Sequence, residues 1–302
     1  MVRIPQVLWR SEQFASQPSV GGIAVTVTAA FVLLAALEWL LFAAFSAAAR
    51  ATRSPILAPR ASRIKLGRRA LEVLSMSVLA ALGVQAHEQL GGLGAFGALS
   101  GDAAVARALE YHPLSARLAL AQLAYQCFNS YISVRDRDGM IFIGHHLATG
   151  LLCALAQGPF LHAFAPFFLG LTETSTVLLC ALATFDPDPR GAGVPGLGAL
   201  FPVTTQLLGV VFTLAFIAVR IVIWPCMSLL FWVDVLAVLG ARAHPPAVCY
   251  AFLVTNAGLS ALQVLWLGEI VSTAVTMFAP QRRKVSAAAA LSGTGKAEHH
   301  LN

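Results

Sequence analysis

The chain has 302 residues, of which 58% are hydrophobic and only 11% are charged, and its mean hydropathy is +0.75. Soluble domains are about 25% charged, so the composition excludes a soluble globular domain, and the high hydrophobicity excludes a disordered chain. The composition is that of a polytopic membrane protein. The net charge of +6 does not indicate a nucleic-acid partner, because the basic residues lie mostly in loops beside apolar segments.

Seven apolar segments are long enough to cross a bilayer as helices, which takes about 20 residues. In chain order they are residues 21–49, 70–86, 114–134, 139–157, 159–185, 200–239 and Pro246–Phe278. The sixth contains Pro225, which we expect to kink or end its helix. The sequence therefore predicts an all-α, polytopic membrane bundle of about seven transmembrane helices.

The distribution of Lys and Arg predicts the orientation of the chain. Residues 50–69 carry seven basic residues and no acid, and cytosolic loops are enriched in Lys and Arg. With this segment in the cytosol, seven crossings place fourteen basic residues there and five on the opposite side. We therefore expect a short luminal N-terminus (1–20), an additional first transmembrane helix (21–49), a basic cytosolic loop (50–69), a main membrane domain (70–284) and a disordered cytosolic tail (285–302).

Ionisable groups at membrane depth are costly, so each one marks a candidate site. The fourth segment contains His145 and His146, with Thr149 one turn later, and the fifth contains Glu173. At 1.5 Å per residue both groups lie in the cytosolic half of the membrane. A short turn between the segments predicts antiparallel neighbouring helices and a contact between a histidine and Glu173. An imidazole there could act as a base or accept an acyl group, with the carboxylate orienting it, or the cluster could be an inert hydrogen-bond network.

Other polar residues at membrane depth extend the candidate site. Asn256 and Gln263 lie on one face of the seventh segment, a pattern that usually joins helices and that could also line a headgroup pocket. Asp234 is either the partner of Arg220 or lies at the luminal surface. Glu38 in the first segment has no evident role. No four residues are spaced as metal ligands, so we predict no metal site.

Five elements, in chain order, give the sequence a resemblance to the TLC-domain family, which includes the ceramide synthases. They are the polar helix at Tyr125–Tyr131, the pair His145–His146 with Thr149, the run Thr172-Glu173-Thr174-Ser175-Thr176, Arg220 with Pro225, and Gln263 with Trp266. The resemblance covers residues 70–284. It implies a six-helix bundle around a lipid-accepting cavity, to which the first helix is an addition.

The resemblance implies that the paired histidines carry an acyl transfer. We therefore predict His145, His146 and Glu173 as catalytic residues. The predicted substrate contacts are Asn129, Thr149, Thr172, Ser175, Thr176, Arg220, Asn256 and Gln263. Ceramide synthases carry a run of acidic residues where residues 172–176 stand here. The chain thus looks closer to the branch linked to membrane lipid composition and trafficking.

Two functions follow from this interpretation. The first is acyl transfer to or between lipids, with acyl-CoA as a co-substrate and no other cofactor. The alternative is a non-catalytic lipid-binding or trafficking protein that tunes membrane composition. Membrane lipids are the expected partners, the oligomeric state is open, and the resemblance implies the endoplasmic reticulum or another endomembrane. A retinal-binding receptor is excluded, because none of the three lysines lies in the middle of an apolar segment.

Overall fold

The structure, a computed structural model, describes residues 19–92, 96, 101–186 and 193–278. In these residues the regular elements are all helices, which confirms the predicted all-α bundle. The predicted disordered tail (285–302) and most of the predicted luminal N-terminus (1–20) lie outside the described residues. The described chain up to Ala261 forms one compact unit, and the residues from Leu262 form a second.

The first half of the chain forms helices α1 (Val20–Thr52), α2 (Arg60–Gln89), α3 (Gly101–Leu109), α4 (Pro113–Arg135) and α5 (Met140–Leu155). Helix α1 begins where the Ser19 hydroxyl accepts a hydrogen bond from the Gly22 N–H at 3.1 Å, and it ends at Arg53 in the left-handed conformation. The predicted loop 50–69 is only partly a loop, because α2 already begins at Arg60. Arg and Lys are good helix formers, and a count of positive charges does not distinguish a loop from a basic helix end.

The second half contains two π-helical stretches. Phe167–Leu171 leads into α6 (Glu173–Ala183), and a short α7 (Leu197–Leu200) precedes α8 (Pro202–Phe216). The second stretch, Ile217–Ile223, joins α8 to α9 (Trp224–Ala241), and α10 runs over Pro246–Phe278. The sixth predicted segment therefore does not end at Pro225. Pro225 lies in the first turn of α9, directly after the π-helical stretch, where a missing backbone N–H is tolerated.

Several of these helices can cross a membrane by length and composition. Within the described residues these are Val20–Thr52, Arg60–Gln89, Pro202–Ala241 and Pro246–Thr273, with Met140–Leu155 and Phe167–Ala183 as shorter apolar helices. Large apolar side chains such as Trp39, Leu147 and Leu214 are exposed on their outer faces. Such faces are expected for helices in contact with lipid tails. The protein is an integral, multi-pass membrane protein.

Helix α2 is packed on several sides, against α1, α4, α6 and the first π-helical stretch. Its backbone comes close to the first π-helical stretch at Gly83, where an added Cβ atom would lie 2.5 Å from the Cα atom of Gly170. Small residues allow helix backbones to approach this closely. Nearer the start of α2, Leu71 packs with Phe128 and Ile132 of α4 in a cluster that α1 covers.

Helix α3 lies between the second and third predicted segments, and a buried ion pair ties it to α9. The Arg107 Nε and Nη2 atoms donate to the two carboxylate oxygens of Asp234 at 2.8 and 2.6 Å. Asp234 is completely buried, and Arg107 is 8% exposed with its guanidinium over the Phe96 ring. The predicted pairing of Asp234 with Arg220 is therefore wrong, and the side chain does not face solvent. Its partner is neither Arg220 nor solvent, but a residue 127 positions away in the chain.

Candidate intramembrane site

The first compact unit encloses a cavity of about 420 Å³, a volume within the range of small-molecule sites. Helices α2, α4, α5, α6 and α9, the two π-helical stretches and the first half of α10 contribute to its wall. One part of the wall is aromatic and includes Phe164, Phe168, Trp224, Phe231 and Phe252. The remainder carries histidines, carboxylates and arginines, so the cavity offers apolar surface and ionisable groups together.

His146 is held by two side chains of helix α4. The Asn129 Nδ2 atom lies 3.1 Å from Nε2 of His146, and the Gln126 Oε1 atom lies 2.8 Å from Nδ1. Gln126 and Asn129 are three residues apart, so they share one face of the helix. With the amides in this orientation, Nε2 accepts and Nδ1–H donates, which defines one neutral tautomer of His146. Both of its ring nitrogens are thus engaged by the protein.

His145 lies beside it on the cavity wall. The two imidazole rings meet edge to face, with centroids 5.3 Å apart and an interplanar angle of 61°. Thr149 is one turn farther along α5 and lines the same cavity. Its hydroxyl oxygen is buried and has no hydrogen-bond partner in the part of the chain that the structure describes. Helix α5 thus presents the His145 imidazole and the unbonded Thr149 hydroxyl to the cavity.

Glu173 is the buried carboxylate of the site. It begins helix α6, directly after the first π-helical stretch, and it lines the cavity with 9% of its surface exposed. The Gln122 Nε2 atom donates to its Oε1 at 2.9 Å, and the Thr176 hydroxyl is a second hydrogen-bond partner. Arg220 supplies an opposite charge nearby. The Glu173 carboxylate is therefore stabilised by a hydrogen bond from α4 and by the positive charge of the second π-helical stretch.

Arg220 joins that second stretch to helix α6. Its Nε atom donates to the Ser175 hydroxyl at 3.1 Å, and its Nη2 atom donates to the Thr172 carbonyl and the Thr176 hydroxyl at 3.0 Å each. Its guanidinium carbon lies 5.9 Å from the centre of the Trp224 ring. π-Helical turns often occur at functional sites, because they rotate side chains out of the regular helical register. Here one such turn precedes Glu173 and the other contains Arg220.

Four charged residues in mutual contact form one part of the cavity wall, which we call the charged end: Arg68, Arg69, Glu72 and Asp138. The Arg68 Nε atom lies 2.9 Å from Glu72, and its Nη2 atom lies 3.1 Å from Asp138. Arg69 pairs with the same Glu72. The sequence predicted only a role in membrane orientation for these arginines. Arg68 and Glu72 are four residues apart, a spacing from which an ion pair on one helix face could have been predicted.

Asp136 links this end to the outer helix α1. Its carboxylate accepts hydrogen bonds from Arg68 and Arg135, and Arg135 also pairs with Glu38 of α1 at 3.0 Å. Burial raises the pKa of Asp136, but the hydrogen bond from Arg135 and the charge of Arg68 outweigh it and hold that pKa below its usual value. Glu38, which the sequence left without a role, therefore fastens α1 to the rest of the bundle.

Most of the predicted site residues lie on the cavity wall: Asn129, His145, His146, Thr149, Thr172, Glu173, Thr176, Arg220 and Asn256. Ser175 lies behind the wall as a partner of Arg220. Gln263 is buried in the second compact unit, beyond the residues that form this cavity. The catalytic and substrate-binding roles of all these residues remain predictions.

Asn256 takes part in the contact between α9 and α10. Its Oδ1 atom accepts a hydrogen bond from Trp232 Nε1 at 2.9 Å, and its Nδ2 atom donates to the Ser228 hydroxyl at 3.3 Å. The Trp224 Nε1 atom donates in the same way to Ser260 at 2.9 Å. These polar contacts join helices, which is the usual role of such a stripe in a membrane protein.

The predicted packing of α5 directly on α6 differs from the structure. Helix α5 packs mainly on α4, whereas α6 packs on α2 and α8, and both helices face the cavity. The hydrogen bonds that hold His146 and Glu173 therefore come from α4, through Gln126 and Gln122. The sequence interpretation overlooked this helix as the source of those partners. Residues 122, 126 and 129 are spaced by four and three positions, so they lie on one face of a helix. This spacing could have identified α4 as a source of hydrogen-bond partners.

A membrane-spanning helical bundle with an aromatic and ionisable cavity defines the class: a polytopic membrane protein with an internal ligand-sized site. The family model of the TLC domain, named for TRAM, LAG1 and CLN8, matches residues 98–272, which is more than half of the chain. The protein belongs to this lipid-related family. No curated protein and no solved structure matches the chain. The match begins after α2, later than the start of the resemblance at residue 70.

Proposed function

We propose that the protein transfers acyl groups to or between lipids in this cavity, with His145 as the catalytic base. The supporting observation is the position of His145 on the cavity wall, close enough for the charge of Arg220 to act on it and beside a second histidine that α4 holds in place. Imidazole is the side chain best suited to proton transfer near neutral pH. The aromatic part of the wall offers apolar surface for an acyl chain.

In this reaction the acyl donor is an ester or a thioester, and acyl-CoA and lipid esters are the two candidate donors. The acceptor is a hydroxyl or amine of a membrane lipid. His145 removes the acceptor's proton while the acceptor oxygen or nitrogen bonds to the acyl carbon. The tetrahedral intermediate then collapses, the bond to the leaving alcohol or thiol breaks, and the leaving group takes the proton from His145. Arg220, whose charge acts on His145, would stabilise the negative charge that forms on the acyl oxygen.

The neighbouring residues act through position in this proposal. Gln126 and Asn129 fix His146, whose ring edge in turn limits the orientation of His145. Glu173 offsets the charge of Arg220 and accepts a hydrogen bond from the Gln122 amide. Its role in this proposal is therefore to stabilise the charged arginine and not to orient either histidine. This differs from the role that the sequence suggested for Glu173.

The test is acyl transfer by the purified full-length protein in lipid nanodiscs, measured with a labelled acyl donor. His145→Ala should lower the rate by about 10²- to 10⁴-fold, the usual contribution of a general base. His87→Ala is the matched control, because His87 is not among the residues that line the cavity. Wild-type rates in both His145→Ala and His146→Ala would refute the proposal.

A non-catalytic role in lipid binding or trafficking is the second candidate. It is favoured because two of the predicted catalytic groups already have hydrogen-bond partners within the protein. His146 is hydrogen-bonded on both ring nitrogens, and Glu173 is hydrogen-bonded to Gln122. Lipidomics of cells that lack the protein, rescued with wild type or with the double histidine variant, separates the two. Full rescue by the variant supports binding alone, and unchanged lipids in the deficient cells would count against both. We place the protein in the endoplasmic reticulum or another endomembrane, which imaging of a tagged chain tests.

A further inference from the structure

The charges on the cavity wall balance one another. Three arginines line the cavity, Arg68, Arg69 and Arg220, and three carboxylates face them, Glu72, Asp138 and Glu173. A binding site for a phosphate usually has an excess of arginine or lysine, or a cluster of backbone N–H groups. Among the described residues the wall has no such excess. The cavity is therefore balanced for a ligand without net charge.

The arginines are also committed to protein acceptors. Arg68 uses Nε, Nη1 and Nη2 on Glu72, Asp136 and Asp138. Arg69 is paired with Glu72. A phosphate could bind the Arg68 guanidinium only by displacing a carboxylate, which would leave that carboxylate unpaired in a partly buried place, and at Arg69 it would compete with Glu72.

Arg220 is committed in the same way. It donates to Thr172, Ser175 and Thr176, and Glu173 compensates its charge. Arg220 is 9% exposed, so an anion that reached it would compete with Glu173 in a poorly hydrated environment. Neither Arg68 nor Arg220 therefore offers the open fork that recognises a phosphate, and Arg69 already shares its charge with Glu72.

Thr149 supplies the opposite kind of group. It lines the cavity, is 6% exposed, and its hydroxyl has no hydrogen-bond partner within the described residues. Threonine in a helix populates two χ1 rotamers, so the hydroxyl can turn toward the cavity. A buried hydroxyl without a partner is costly, and an ester or amide carbonyl is an acceptor that would satisfy it without bringing a charge.

We propose that the ligand of this cavity is an acyl lipid without phosphate or net charge, bound through its ester or amide carbonyl at Thr149. The inference rests on the proposed function for the site and names its substrate class. The acyl donor is then a neutral lipid ester. Its acyl–oxygen bond breaks, the acceptor's oxygen or nitrogen bonds to the acyl carbon, and the acceptor's proton passes through His145 to the freed alcohol of the donor. Acyl-CoA and anionic phospholipids are disfavoured as ligands.

The experiment compares three probes with the same oleoyl chain: monooleoylglycerol, oleoyl lysophosphatidate and oleoyl-CoA. Binding of each radiolabelled probe to the purified full-length protein in detergent is measured at low and at physiological salt. We expect saturable binding of monooleoylglycerol, at least tenfold tighter than the other two and independent of salt. Equal or tighter binding of either anionic probe would overturn the inference, and so would the absence of saturable binding of monooleoylglycerol.

Variants locate the binding. Thr149→Val should weaken monooleoylglycerol binding about tenfold, the effect of one lost hydrogen bond. Thr213→Val is the matched control, since Thr213 bonds within α8 and is not among the residues that line the cavity. Glu72→Gln should release Arg69 and increase lysophosphatidate binding, with a salt dependence that the wild type lacks. Thermal unfolding of each variant identifies those that fold. An unchanged affinity in folded Thr149→Val would refute the carbonyl contact.

Failure of this inference and failure of the proposed function are distinguishable. Saturable binding of monooleoylglycerol without acyl transfer from any donor would refute catalysis and retain the ligand class. Acyl transfer from oleoyl-CoA that depends on His145, in a protein that does not bind monooleoylglycerol, would retain catalysis and refute the ligand class.

Discussion

Removing Asp234 tests how the fold holds a charge inside the bundle. Arg107 donates to both of its carboxylate oxygens at 2.6–2.8 Å, and the carboxylate is completely buried. Asp234→Ala leaves the guanidinium buried beside Phe96 with its main partner gone. Breaking a buried ion pair from one side costs about 3–5 kcal/mol. We expect a decrease of this size in the free energy of unfolding, measured by denaturant titration of the purified protein in mixed micelles.

Two further variants make this prediction specific. Arg107→Leu/Asp234→Leu removes both charges and should restore most of the lost stability, because an apolar pair of similar volume needs no compensation. The control is Glu38→Gln at the half-exposed pair with Arg135, where a loss below about 1 kcal/mol is expected. If Asp234→Ala costs no more than Glu38→Gln, or if the double variant is as unstable as the single one, the pair does not hold α3 against α9 as argued.

Two smaller perturbations test the helix crossing and the charged end. Gly83→Ala places a Cβ atom 2.5 Å from the Gly170 Cα atom, so we expect thermal unfolding to show a loss of about 1–3 kcal/mol; Gly209→Ala, with open space around it, should show none. Asp136 has a pKa below its usual value, so it stabilises the fold fully above the unfolded pKa of about 3.9 and loses this effect as the pH falls through the folded pKa. Wild type should therefore be more stable than Asp136→Asn at pH 7, by less than about 1 kcal/mol because the side chain is partly exposed. The difference in melting temperature between the two proteins should shrink as the pH is lowered. A difference that grows toward low pH would contradict this reasoning.

The sequence predicted the parts of this protein that depend on local pattern. Apolar segment length gave the helices, and helical spacing placed His145 and Thr149 on one face that does line the cavity. The cost of burying Glu173 and Arg220 in a membrane identified two further wall residues. Each of these inferences needs only the residues within one helix and the nature of the solvent around it.

The parts that the sequence did not predict depend on pairing between distant residues. Arg107 meets Asp234 across 127 positions, and no local pattern distinguishes Arg107 from other residues of a loop. The sequence predicted only an orienting role for Arg68, because the number of positive charges in a segment does not show which carboxylates they pair with. In the structure its partners include Asp136 and Asp138 of the α4–α5 connection. These pairings depend on which helices pack against each other, and the hydropathy of the sequence does not predict that order.

The charged end also shows that family membership does not describe the whole cavity. The TLC-domain match starts at residue 98, whereas Arg68, Arg69, Glu72 and Met76 of α2 lie on the cavity wall. These α2 residues carry both guanidinium groups of the charged end and one of its carboxylates. The balance of charge, on which the choice between a neutral and an anionic ligand depends, is therefore set largely by a helix outside the matched region. The ligand class of this protein therefore depends on residues of α2 as well as on the matched helices.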